Sequence, residues 1–264
     1  MGTAETHVLG KPARMSDAEW QLRIQLAACY RVFDWLGWTE NIFNHITVRV
    51  PGPERHFLIN PFGLWYDEVT AANLVKIDLD GKPVAPTEHA VNRAGFVIHS
   101  ALHAARDDTH CIMHTHTTAG MAIACRRAGL RHDDFYGAML IGRVAYHDFE
   151  GITVRPEEQP RLVASLGTKH VLILRNHGLL VAEHNVAHAF SLMWTLQRAC
   201  EVQCQAAAIG GYDLPLTDAV REQCKEVAFR YEADGDTCQR VFDATVRKME
   251  RAKRGAPGWI DYRS

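Results

Sequence analysis

Short apolar runs that stop at turn residues constrain this chain more than any other feature. Thr109 to Met113, His170 to Leu174 and Gly178 to Ala182 suit buried strands and are too short for helices. His45 to Val50 alternates, and His56 to Ile59 is apolar. Lys76 to Val84 reads as a hairpin with Asp80-Gly81 as its two-residue loop. Helical spacing marks 17–36, behind a Ser16-Asp17-Ala18-Glu19 capping box and ahead of a stop at Gly37. Further helices are expected over 92–105, 117–127, 156–166 and 185–209, with two more inside 216–253. Hairpins are frequent and strict β-α-β alternation is absent. The pattern therefore predicts one α/β domain over 15–264 with a largely antiparallel sheet, after a flexible tail at 1–14.

The bulk properties narrow the function. Net charge is -2 over 264 residues, so no global field favours nucleic acid or an anionic membrane. No apolar run approaches the ~20 residues needed to span a bilayer. The N-terminus has no signal-peptide apolar core. Seven cysteines, an odd number with no C-x-x-C pair and most of them, Cys125 included, inside apolar segments, read as reduced core residues of a cytoplasmic protein.

The histidines carry the chemistry. With 15 in 264 residues, about one pair at any short spacing arises by chance. A bare H-x-H is therefore weak, and context must raise it. His114 and His116 follow an apolar strand, where i and i+2 side chains point the same way. His177 sits in Asn176-His177-Gly178, where glycine permits close backbone approach. Three neutral imidazoles and an open position describe a catalytic metal site. The competing reading is structural histidines bonded to loop carbonyls. His99/His103 and His184/His188, each at i, i+4, offer rival pairs. His99 is read as core-facing and bonded to a backbone group, His103, ahead of the polar Arg106-Asp107-Asp108 turn, as solvent-exposed, and His184 and His188 as surface residues.

At these residues the chain resembles the class II aldolase/adducin family, in its adducin-like bacterial branch. The resemblance runs through Phe43-Asn44-His45-Ile46-Thr47-Val48-Arg49, Phe57 to Gly63, Leu74 to Gly81 and Ala94 to Ser100. It continues through His114-Thr115-His116, Val144 to Gly151 and Arg175-Asn176-His177-Gly178, covering about 16–209. It implies an α/β/α sandwich around an antiparallel sheet, and a homotetramer with active sites between subunits. It also implies a divalent metal on His114, His116 and His177. Zinc is expected first, with manganese, cobalt or iron as ions that imidazole also suits. In the family's aldolases that metal stabilises an enediolate as a carbon–carbon bond breaks.

The chain departs from the sugar-phosphate aldolases at one place. Gly95 stands where they carry a proton-transferring glutamate, and glycine cannot do that work. Arg93-Ala94 replaces their phosphate-binding serine pair. Asn44 and Gly63 still match phosphate-loop positions, and Arg93 could hold a carboxylate bidentately. Three residues are candidates for the missing acid–base role. Glu88 precedes a helix and competes with being a solvated loop carboxylate. Tyr136 and His147 lie in a polar stretch, with Asp148 available to orient His147.

The expectation is a metal-dependent lyase acting on a small hydroxy-carbonyl or hydroxy-acid, by retro-aldol cleavage or decarboxylation. A dehydratase on the same metal site is one alternative. A non-catalytic adducin-like oligomerisation module is another, although a scaffold needs no metal ligands. No nucleic-acid or membrane partner is expected.

Overall fold

The computed structural model describes residues 11–264 except 14, 153–154, 212–213 and 234, and only the backbone at 93–95, 231–232 and 235. Residues 1–10 and 14, most of the expected tail, lie outside the described residues. The strands are β1 (Ile46–Arg49), β2 (Phe57–Ile59), β3 (Val75–Ile77), β4 (Cys111–Thr115), β5 (Val144–His147), β6 (Val171–Leu174) and β7 (Gly178–Glu183). They form one sheet in the order β3-β2-β1-β4-β7-β6-β5. Neighbours are antiparallel except β5 beside β6. The helices are α1 (Asp17–Leu36), α2 (Arg93–Ala105), α3 (Thr118–Ala124), α4 (Phe135–Ala138), α5 (Gln159–Leu166), α6 (Val186–Ala208), α7 (Asp218–Ala233) and α8 (Gly235–Lys253).

Period-two alternation divides each strand between two helical layers. Cys111, Met113, Leu179 and Val181 pack with α1, α3, α6 and α8. Ile112, Leu172, Leu180 and Ala182 pack with Ile98 and Leu102 of α2 and with Leu162 and Leu166 of α5. Phe57, Ile59, Val75 and Ile77 extend that second layer onto Phe96 of α2. Strands apolar on both faces need cover on both faces, and the result is an α/β/α sandwich. Each fully buried large apolar side chain here contributes roughly 1.5–3 kcal/mol.

Local details refine the sequence expectations. The Ser16 hydroxyl caps α1 by accepting from the Glu19 N–H at 3.1 Å. Glu19 does not complete the capping box, because its carboxylate holds Arg23 (3.1 Å) and Lys76 (2.9 Å) instead. Gly37 ends α1 at φ +72°. The hairpin after β3 closes on a bond from the Asp78 N–H to the Lys82 carbonyl. Its loop is therefore Leu79-Asp80-Gly81, one residue longer than expected, with Gly81 left-handed at φ +74°. All seven cysteines are free, and Cys125 is exposed rather than in the core. Among the described residues no helix is long and apolar enough to cross a membrane.

Candidate functional site

His114 lies on β4, two residues beyond Ile112 and on the same face. His116 follows the strand end at the next position of that period. His177 comes from the turn between β6 and β7. Asn176 adopts the left-handed conformation there, at φ +56°, and donates its backbone N–H to the Ala124 carbonyl. The His177 N–H closes back on the Leu174 carbonyl at 3.1 Å. β7 pairs with β4, so this turn lands beside His114. Gly178 is required for that approach. A Cβ on it would lie 2.4 Å from the Thr115 carbonyl oxygen and 2.9 Å from the His116 ring.

The three Nε2 atoms converge. His114 Nε2 stands 2.7 Å from His116 Nε2 and 3.2 Å from His177 Nε2. All three ligand atoms lie within 4.8 Å of one another. His114 Nδ1 donates to the Leu179 carbonyl at 2.9 Å. A neutral imidazole has one N–H, so this bond leaves the His114 Nε2 lone pair facing the other two rings. Burial lowers the pKa of all three. For His114 and His177 the neighbouring imidazoles lower it further, and His177 falls to about 4. The rings are therefore neutral at pH 7, as metal ligation requires.

This donor set fits a divalent cation. Two Zn–N bonds of about 2.0–2.1 Å at a tetrahedral angle hold their nitrogens about 3.3 Å apart. The His114–His177 pair already matches that spacing, and the His114–His116 pair opens slightly to reach it. One imidazole lone pair cannot satisfy two neighbouring rings by hydrogen bonding alone, whereas a cation meets all three.

The cluster lies in the wall of a cavity of about 500 Å³. His45 and Asn92 share that wall, as do Phe43, Phe62, Met121 and Phe149. His45 is a site residue that the sequence reading did not single out. It precedes β1 on the face away from Ile46 and Val48, and its ring centroid is 5.9 Å from that of His114. The available signal was its i, i+2 relation to Thr47.

Thr47 belongs to a second histidine group behind this wall. His103 Nδ1 donates to the Thr109 carbonyl at 3.0 Å. Its Nε2 then accepts from the Thr47 hydroxyl at 2.8 Å, and Thr47 Oγ1 accepts from His99 Nδ1 at 2.7 Å. This leaves the buried His99 Nε2 as a bare lone pair, with the His99 ring 4.2 Å from that of His45. His103 is 1% exposed, not the solvent-facing residue expected, because α2 turns it inward onto Thr47. His99 is core-facing as expected, but bonds a hydroxyl rather than a backbone group. His188 is also buried, behind the α6 cap at Asn185, whereas His184 is half exposed.

The other candidates fall in different places. Asn44 is buried and donates its amide to the His114 carbonyl at 3.1 Å, so it braces the strand end that carries the cluster. Gly63, at φ +103°, turns the chain after Phe62, a cavity-wall residue. Arg93 begins α2, and its side chain lies outside the described residues. Glu88, Tyr136 and His147 are absent from the described cavity wall. Glu88 is exposed in the loop before α2. Tyr136 stands under the Arg198 guanidinium, 5.7 Å from its ring centroid. His147 is spent on the Ser165 hydroxyl at 2.9 Å and the Glu158 carboxylate at 3.3 Å, not on Asp148.

Residues 24–204 match the family model of the class II aldolase and adducin N-terminal domain. An aldolase II superfamily protein from Pseudomonas syringae superimposes with a TM-score of 0.89 at 44% identity, over 95% of this chain and 98% of that one. An L-fuculose 1-phosphate aldolase from Glaciozyma antarctica PI12 does so with a TM-score of 0.78 at 26% identity, over 92% and 94%. Alpha-adducin of Rattus norvegicus is 47% identical over 209 residues, which is 77% of this chain and 28% of the adducin.

Proposed function

The chain belongs to the class II aldolase and adducin family, and from that premise we propose that it is a divalent-metal-dependent lyase. The reaction is carbon–carbon cleavage of a small hydroxy-carbonyl or hydroxy-acid, by retro-aldol or decarboxylation. One observation carries the reading: three neutral imidazoles turn their Nε2 atoms together at an open cavity. A divalent cation there, zinc by preference, supplies Lewis-acid stabilisation of negative charge on substrate oxygen. His114, His116 and His177 hold it, and the Leu179 carbonyl and Asn44 amide orient His114. His45 stands on the wall within reach of a substrate lying against His114, and takes the proton-handling place that Gly95 leaves empty. Arg93 keeps the role of holding a substrate carboxylate. Tyr136 is absent from the described cavity wall of its own subunit, and in this reading any part it plays comes from a second copy. The assembly in this reading is a homotetramer with active sites between subunits.

The fuculose-phosphate aldolase likeness supports aldolase-type chemistry, while Arg93-Ala94 in place of the phosphate-binding serine pair argues against its phosphorylated substrate. The adducin likeness favours a second reading, a non-catalytic assembly module on the same fold. Metal analysis and a substrate panel separate the two. The lyase reading expects about one divalent ion per subunit. It also expects turnover of a hydroxy-acid or unphosphorylated aldol exceeding that of L-fuculose 1-phosphate, because Arg93-Ala94 stands where the sugar-phosphate aldolases bind phosphate. Protein that takes up no metal and turns over nothing in the panel is the assembly module. Fast cleavage of L-fuculose 1-phosphate means that other groups hold the phosphate in place of the missing serine pair.

A further inference from the structure

The cavity carries more apolar surface than a metal site needs. Phe43, Phe149 and Ile152 are 54%, 51% and 81% exposed, and all three line it. Phe62 and Met121 join them at the rim, and Ile98 is buried deeper in the wall. Scattered surface hydrophobics need no explanation, but a convergent group marks a binding surface. These side chains come from separate segments: before β1, after β2, on α2, on α3 and after β5. No single stretch of sequence explains their meeting around one opening.

Size and charge point the same way. A cavity of about 500 Å³ lies in the range of small-molecule sites. An apolar space of about 150 Å³ already accommodates benzene. A three-carbon hydroxy-acid at the histidines would leave most of this cavity to water against phenylalanine. Among the described residues of the wall there is no lysine, arginine, aspartate or glutamate. Beyond the carboxylate assigned to Arg93, a charged group on the substrate would find no counter-charge among these described wall residues, whereas a ring would find Phe43, Phe149 and Ile152.

We propose that the substrate is amphiphilic: an oxygenated head at His114, His116 and His177, and an aromatic or similarly bulky apolar substituent against Phe43, Phe149 and Ile152. The head's chemistry rests on the lyase reading, while the preference for an apolar substituent is a property of the cavity and is measured by binding.

The test is calorimetry on the zinc-loaded protein with lactate and phenyllactate, which share a head and differ by a ring. Phenyllactate is expected to bind at least about 10-fold tighter, the gain from removing a ring from water after ordering costs. Phe149→Ala and Ile152→Ser should each shrink that ratio, with melting curves confirming that both variants fold. Equal affinities, or no binding of either acid, overturns the proposal; a second copy of the chain filling the cavity would give that result. A clear preference without turnover of any hydroxy-acid leaves the proposal standing and removes the lyase reading. Turnover of small hydroxy-acids with equal affinities does the reverse.

Discussion

Two histidine groups meet near one end of the sheet, one on α2 against Thr47 of β1 and one at the end of β4 and the β6–β7 turn, and only the second can offer a ring of lone pairs. His99 and His103 share the Thr47 hydroxyl, and His103 also bonds the Thr109 carbonyl. Their nitrogens are mostly spent on fixed oxygens. His114, His116 and His177 turn Nε2 atoms toward one another at a cavity. Both groups are depressed in pKa by burial, so titration behaviour does not tell them apart. What distinguishes them is the direction of the lone pairs, which the hydrogen bond on the opposite nitrogen sets.

The largest expected effect comes from breaking the open group. His114→Ala combined with His116→Ala should abolish metal uptake and lower turnover by at least about 10³-fold, since the cation supplies several kcal/mol of charge stabilisation. The fold should persist, because both changes are at the cavity end of β4. Elemental analysis with circular dichroism checks this. Retained metal would move the assignment to the other histidine group.

Breaking the closed group should do the opposite. His103→Ala removes a buried ring packed 4.3 Å from the Phe57 ring centroid and leaves the Thr47 hydroxyl and Thr109 carbonyl short of a partner. Such a change costs about 2–4 kcal/mol. Denaturant unfolding should show that loss, while metal content per folded subunit stays unchanged. Loss of metal along with stability would show that the two groups act as one.

The strands and most helices were legible because period two and period 3.6 are local properties. So was the cluster, since i, i+2 on a strand puts His114 and His116 on one side, and Gly178 announces a close approach. The rest depended on long-range partners. Polar Arg106-Asp107-Asp108 suggested an exposed His103, but Thr47 on β1 claims it. Asp148 beside His147 suggested a catalytic pair, but Glu158 and Ser165, reached only through tertiary packing, hold the ring. His45 gave no local signal beyond its spacing from Thr47. The apolar rim was illegible because each contributing segment holds only one or two of its members.

Acid offers the mildest way to sharpen the contrast. Burial pushes His103 down to about 3 in the folded chain, against an ordinary value of 6.5. Above pH 6.5 both folded and unfolded chains hold this ring neutral, and it adds no pH dependence. Between 6.5 and about 3 the unfolded chain takes up a proton that the folded chain refuses, so stability falls as pH falls. His103→Gln should flatten part of that decline in metal-free protein followed by thermal melts from pH 7.5 to 5. Zinc then separates the groups. At pH 7.5 it should raise the melting temperature of both proteins, because it binds only the folded state. That increment should hold down to pH 5, because the buried ligand rings stay neutral there and His177 takes a proton only near 4, equally in wild type and variant. An increment missing from His103→Gln alone would mean that the closed group holds the open one in shape, and the two would no longer be independent.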